Sequence, residues 1–244
     1  MTEHSCTWPP IREIPPGSPD YPQAVLKTFG ARAPVLSLLG NRDLLDRPGV
    51  GFCGSRRASE RGIAAARDCA EQAARRGLVV ISGNAAGIDL AAHHAALSAG
   101  GATILVLPEG INQFRVRKAL KPVWDWERVL VVSQFEPDAV WRSWRAMQRN
   151  GLIIALSHAM IVVEAADKGG SIHAGLQTLE RRKPLFVVNY RDITSHAPGN
   201  AQLLKRGGLP LMRSRETGRA TFERVVESLS CNEQQQSQEQ LALL

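Results

Sequence analysis

Short apolar runs recur along the chain, and most of them pass through a small-residue turn into a stretch with helical spacing. VGFCG at 50–54 leads into an alanine-rich segment from Ser59 to Arg76, and LVVISG at 78–83 leads into AAGIDLAAHHAALSAG at 85–100. ATILVLP at 102–108, RVLVVSQF at 128–135, AMIVVEA at 159–165 and PLFVVN at 184–189 repeat the strand signal. A basic segment at 112–127 and helices expected at about 138–157 and 171–182 separate them. Continuous Val, Ile and Leu runs, rather than alternating ones, indicate strands buried on both faces, which is the signature of a parallel sheet covered by helices. The pattern therefore predicts an α/β fold with a doubly wound, mostly parallel sheet, Rossmann-like, over residues 49–230. Residues 1–48 are broken by Pro9, Pro10, Pro15, Pro16, Pro19 and Pro22 and read as a Pro-rich arm leading into a short element, VLSLLG at 35–40. Residues 231–244, with EQQQSQE at 233–239, read as a polar tail.

Composition narrows the class. With 44% hydrophobic and 22% charged residues among 244, the chain can bury a core and is not of the disordered type. Thirty Lys and Arg against 23 Asp and Glu leave a net charge of +7, which points to a polyanionic partner. Apolar runs are too short for a membrane span and the N-terminus does not resemble a secretion signal, so a cytoplasmic protein without membrane contact is expected. Cys6, Cys53, Cys69 and Cys231 form no CxxC pair, and His4, His93, His94, His158, His173 and His196 show no metal spacing. Neither a disulfide scaffold nor a metal site is expected, and no cofactor is implied.

In an open parallel sheet, ligands bind beyond the carboxyl ends of the strands, where loops enter helix N-termini. Three such ends carry candidate phosphate ligands. The first is Gly54, Ser55, Arg56, Arg57 and Ser59; the second Ser82, Gly83 and Gly87; the third Lys168, Gly169, Gly170 and Ser171. Glycines permit close backbone approach, hydroxyls bond phosphate oxygens and guanidiniums clamp them. Each turn alone reads equally as a tight strand-to-helix connection. Asp89 and His93, spaced i, i+4, form either a catalytic pair or a loop brace beside a packed helix residue, and Glu164 is either a general base or a loop-bracing carboxylate. Trp124, Trp126, Trp141 and Trp144 are interleaved with Arg128, Arg142, Arg145 and Arg149, as stacking and neutralisation of a single strand require. The i, i+3 spacing of Trp141 and Trp144 equally suits packing of a helix on the sheet. Arg115, Arg117, Lys118 and Lys121 read as a loop rim that adds charge without specificity.

Taken in order, Tyr21-Pro22, Leu39-Gly40-Asn41, GSRRAS at 54–59, SGNAAGID at 82–89, RNGLIIALSHAMIVVEA at 149–165, KGGSIHAG at 168–175 and Pro198-Gly199-Asn200 resemble the DNA-processing protein A (DprA/Smf) family. The resemblance implies an extended Rossmann three-layer fold that binds single-stranded DNA, usually as a dimer, and assists recombinase loading. It also implies that Arg56 meets phosphate, that Arg149 and Asn150 lie near the DNA path and that Lys168 completes the pocket. Ala86 and Gly151 stand where the family commonly has arginine. Ala146 and Met147 replace its aromatic-proline pair, and Trp144 is the candidate for the lost stacking surface. Only 44 residues follow Asn200 (244 − 200), too few for the winged-helix domain that many members carry. Short relatives of this kind resemble components of anti-phage modules, so a recombinase or a defence-module protein is the expected partner.

Three functions follow from these readings. The first is a non-enzymatic DprA-like protein holding single-stranded DNA at the strand ends, in DNA processing and recombination or in defence. The alternative is a nucleotide-sensing regulatory protein. A nucleoside monophosphate hydrolase would require a GG-x-GT-x-x-E loop, and the glycines here are followed instead by Ser171-Ile172-His173. The third is an interaction scaffold using the Pro-rich arm and a helix at 218–230, whose Phe222, Val225, Val226 and Leu229 share one face.

Overall fold

A computed structural model describes residues 8–190 and 197–229. Cys6, Cys231, His4, His196 and the polar tail lie outside the described residues. The strands are β1 (Ile11–Ile14), β2 (Leu36–Gly40), β3 (Gly49–Cys53), β4 (Val79–Gly83), β5 (Thr103–Val106), β6 (Val129–Ser133), β7 (Ala159–Val162), β8 (Leu185–Val188) and β9 (Leu209–Leu211). The helices are α1 (Gln23–Phe29), α2 (Glu60–Arg75), α3 (Ile88–Ser98), α4 (Ser143–Leu156), α5 (Gly170–Glu180) and α6 (Pro198–Lys205), followed by a short helical stretch at 223–229.

The nine strands form one sheet in the order β1-β2-β6-β5-β4-β3-β7-β8-β9. From β6 to β9 all neighbours are parallel; β2 runs antiparallel to β6, and β1 antiparallel to β2. The segment before residue 49 is thus not only an arm, because its two strands extend the same sheet. Tyr21, buried among the prolines, anchors that segment by donating its hydroxyl to the Pro34 carbonyl at 2.6 Å.

Strands β3 to β8 are fully buried, as continuous apolar runs require. On one face α1, α4, α5 and α6 pack through Val25, Leu152, Ile154, Ile172 and Leu203. On the other, Ala66, Cys69, Ala70 and Ala73 of α2 meet Ala92 and Ala96 of α3, small side chains that let the two helices lie close together over β3 and β4. Phe222, Val225 and Leu229 close this second core. A third cluster, with Leu97, Leu105, Phe114, Leu120 and Val131, lies under the long β5–β6 connection.

Helix α4 starts five residues later than its spacing predicts. Residues 136–142 instead form a turn whose backbone serves the 110–113 loop, with Asn112 N–H donating to the Pro137 carbonyl at 3.0 Å and Gly110 N–H to the Ala139 carbonyl at 2.8 Å. Those carbonyls are therefore unavailable to a helical ladder. The chain leaves β3 toward β4, β5 and β6, and then returns through α4 to β7 on the other side of β3. This reversal between β3 and β7 opens a crevice at their carboxyl ends, where a doubly wound sheet binds its ligands.

Candidate functional site

The crevice is a cleft with a main compartment of about 370 Å³. Its wall after β3 is Cys53, Gly54, Ser55 and Arg56; its wall after β7 is Ala166, Lys168, Gly170 and Ser171. The buried Arg149 and Asn150 of α4 form the floor, and Trp141, Ala146 and Met147 complete the lining. A second compartment of about 150 Å³ adjoins it, lined by Asn84, Ala85, Ala86, Pro108, Glu109 and Arg117. Arg56, Trp141 and Arg149 border both compartments. The Arg56 guanidinium stands 5.6 Å from the centre of the Trp141 ring, so a cation stacked on an aromatic face divides the cleft.

Glycine sets the shape of these walls. Gly87 has φ +76°, and a Cβ there would come within 2.3 Å of the Ser55 carbonyl and 2.7 Å of the Arg56 carbonyl. The loops after β3 and β4 therefore touch backbone to backbone, fastened by Ile88 N–H donating to the Ser55 carbonyl at 3.2 Å. Gly83 is flat for a different reason: the Arg149 guanidinium lies over it, and a Cβ would overlap that group.

Arg149 is the buried cation of the site. It is 5% exposed, and its nearest acidic partner is Asp89, 3.9 Å away and 6% exposed. Burial lowers its pKa while Asp89 raises it, and its Nε is buried without a hydrogen-bond partner among the described residues. Asp89 also accepts from Ala85 N–H at 3.2 Å, which holds the β4–α3 loop. Asn150 donates to the Gly170 carbonyl at 3.2 Å and so ties α4 to the start of α5. Arg56, Arg57 and Lys168 are exposed on the rim, but Arg57 lines neither compartment. Gly169, at φ +113°, precedes α5 and points that helix N-terminus toward the main compartment.

Several candidates turn out to be braces. Ser82 is fully buried and donates its hydroxyl to the Phe52 carbonyl at 2.7 Å, because a hydroxyl inside a sheet needs an acceptor; it cannot reach a ligand. Ser59 is the N-cap of α2, accepting from Gly62 N–H at 3.0 Å, and its own N–H donates to Glu164 at 2.9 Å. Glu164 is buried in this contact, which leaves it no access to a substrate. Asp89 and His93 form no dyad. His93 Nε2 lies 2.7 Å from the Gly83 carbonyl, which can only accept, so Nε2 carries a proton; Nδ1 lies 2.6 Å from the Thr103 hydroxyl oxygen, whose own proton is donated to the Val80 carbonyl at 2.6 Å. Burial lowers the His93 pKa, and the Gly83 carbonyl and Asp89 oppose that shift. Asn200, fully buried, joins the ends of β7 and β8 by donating to the Val163 and Val188 carbonyls, both at 2.9 Å.

The tryptophans divide into two groups. Trp124 and Trp126 pack with Phe114 and Trp8, at ring separations of 5.1 to 6.5 Å. Trp141 and Trp144 remain 46% and 56% exposed and do not pack α4 on the sheet. Trp144 sits edge-on to Phe135 with Arg145 5.0 Å above it, just beyond the cleft, whereas Trp141 lines the cleft itself. Arg117, expected as a nonspecific rim residue, is fastened through Nε to Asn84 Oδ1 at 3.0 Å and by a second bond to the Asn84 carbonyl. Glu109 was not singled out in sequence, although it follows Pro108 directly at the carboxyl end of β5, where strand-end reasoning would have found it. Among the described residues no cluster of His, Cys, Asp or Glu could hold a metal, and no helix is long and apolar enough to cross a membrane.

These features define a doubly wound α/β protein whose strand-end cleft combines exposed cations, helix N-termini and an aromatic face, as a phosphate-bearing ligand with bases requires. Within that class the chain belongs to the DNA recombination-mediator protein A family, whose model matches residues 12–218. It is 34% identical over 194 residues to the DNA processing protein DprA of Streptococcus pneumoniae, a match covering 78% of this chain and 68% of that protein. The crystal structure of that protein aligns with a TM-score of 0.73 at 30% identity, over 82% of this chain and 71% of the other. DNA processing protein A of Helicobacter pylori, whose structure was described for its single-stranded DNA binding mode, aligns with a TM-score of 0.71 at 26% identity, over 83% and 91%.

Proposed function

We propose that this protein binds single-stranded DNA across the strand-end cleft, in DNA processing and recombination, and acts by holding the strand rather than by covalent chemistry. The observation that carries this reading is the Arg56–Trp141 stack between two compartments that share Arg149 as a floor. Phosphates meet Arg56, Lys168, the Gly54-Ser55 backbone and the N-terminus of α5, while a base stacks against Trp141. Glu164, His93 and Asp89, the acid–base candidates of the sequence, are committed to backbone or to Arg149, so none of the three is placed to act as a general base. The family and the H. pylori relative support the same ligand.

Salt-titrated binding of a labelled oligonucleotide tests it. Each phosphate contact on a single strand contributes about −0.7 to the slope of log K against log salt. Arg56→Ala with Arg57→Ala should therefore weaken binding at every salt concentration and flatten the slope by about 0.7 to 1.4. Unaltered affinity and slope in the double variant would mean that the strand lies elsewhere.

A further inference from the structure

The second compartment contains a group that a purely cationic DNA cleft has no use for. Glu109 is half-buried, and its carboxylate makes no hydrogen bond or ion pair among the described residues; its electrostatic neighbours are the Arg117 and Arg149 guanidiniums. Arg117 is already committed to Asn84. A carboxylate repels phosphate, so at this position it opposes backbone binding. It favours a ligand only if that ligand brings N–H donors.

We propose that this compartment reads a nucleobase and that Glu109 makes it selective for guanine; this rests on the single-stranded DNA reading above. Unstacked bases of a single strand present their Watson–Crick edges to side chains and their faces to aromatic rings. Trp141 supplies the face, on the wall shared with the phosphate compartment. Guanine alone offers two adjacent donors, N1–H and the N2 amino group, which a carboxylate accepts side by side. Its O6, next to them, suits the guanidinium of Arg149. Thymine has one ring N–H flanked by two carbonyls that repel a carboxylate. Adenine and cytosine each place a ring-nitrogen acceptor beside their single amino donor. The compartment thus discriminates through the same pairing that makes bidentate contacts specific in duplex grooves.

The test compares thymidine oligonucleotides carrying one central dG, dA, dC or deoxyinosine, by fluorescence anisotropy with the full chain. The dG strand should bind about tenfold more tightly than the all-thymidine strand, the scale of one bidentate base contact. Deoxyinosine, which lacks the N2 amino group, should lose most of that gain. Glu109→Gln should shrink the dG preference to about twofold or less and tighten thymidine binding, because a negative charge leaves the cleft. Wild-type protein that binds dG and thymidine strands equally overturns the inference, as does a Glu109→Gln protein that keeps the preference. If strands bind and the Arg56/Arg57 variant weakens them without any base preference, only this inference falls. If no single strand binds at all, the functional reading falls with it.

Discussion

Asp89→Asn isolates the electrostatics of the site. Asn is nearly isosteric and its side-chain oxygen still accepts from Ala85 N–H, so the loop brace survives and only the charge facing Arg149 is lost. At 3.9 Å and an effective dielectric of about 20, that charge interacts with the guanidinium by roughly 332/(20 × 3.9), about 4 kcal/mol. Burying Asn in place of a carboxylate returns part of this, and 3.9 Å is longer than a hydrogen-bonded ion pair. A net loss of about 2–4 kcal/mol remains, toward the lower end of what an orphaned buried charge costs. For a chain of this size that corresponds to a fall in Tm of about 5–15 °C. Urea and thermal denaturation of wild type, Asp89→Asn, Arg149→Met and the double variant form a complete cycle. The double variant should be less destabilised than the sum of the singles by about 2 kcal/mol, since neither charge is then left alone. Single-variant losses that add within about 0.5 kcal/mol would show that the two groups do not interact and that Arg149 is held by packing alone. A saturating thymidine oligonucleotide should stabilise Asp89→Asn more than wild type, because a phosphate then supplies the missing negative charge.

The two tryptophan groups predict opposite phenotypes. Trp124→Ala removes a ring packed on Phe114 and should cost about 2–4 kcal/mol of stability. Trp144→Ala, on an exposed ring, should leave Tm nearly unaltered and weaken single-stranded DNA by about 1 kcal/mol or more if the strand extends past the cleft. Gly87→Ala places a Cβ at φ +76° and against the Ser55 carbonyl. It should cost more than about 1 kcal/mol in denaturation and weaken DNA binding as the two loops separate; a variant of native stability and affinity would count against that backbone contact.

Much of the architecture was legible because parallel strands covered on both faces are apolar at most positions rather than at alternate ones. VGFCG, LVVISG, ATILVLP, RVLVVSQF, AMIVVEA and PLFVVN each contain a strand of the sheet, and the alanine-rich stretches are the helices between them. The edges were not legible. IREI of β1 and LPL of β9 are short and partly exposed, and Pro210 is tolerated because an edge strand has one side without a ladder partner. The start of α4 was misplaced because its carbonyls are claimed by a loop about 25 residues earlier in the chain, a competition that local spacing does not register.

By itself, then, the sequence determined the layer order, the strand ends that line the cleft and the cations gathered there, since all three depend on local pattern and on a general rule for parallel sheets. Only the tertiary structure decided what each polar side chain does. Ser82, Ser59, Glu164 and His93 look like chemistry in one dimension, but inside the fold their polar atoms face backbone groups and neighbouring hydroxyls that must be satisfied, and they are spent on that. Glu109 and Arg117, from the β5–β6 connection, and Trp141, from the connection between β6 and α4, meet Arg56 and Asn84 at the cleft only when β5 is laid beside β4, β6 beside β5, and the chain returns through α4 to β7. A buried hydrogen bond or a shared pocket depends on where two segments meet, and that meeting is set by packing rather than by spacing along the chain.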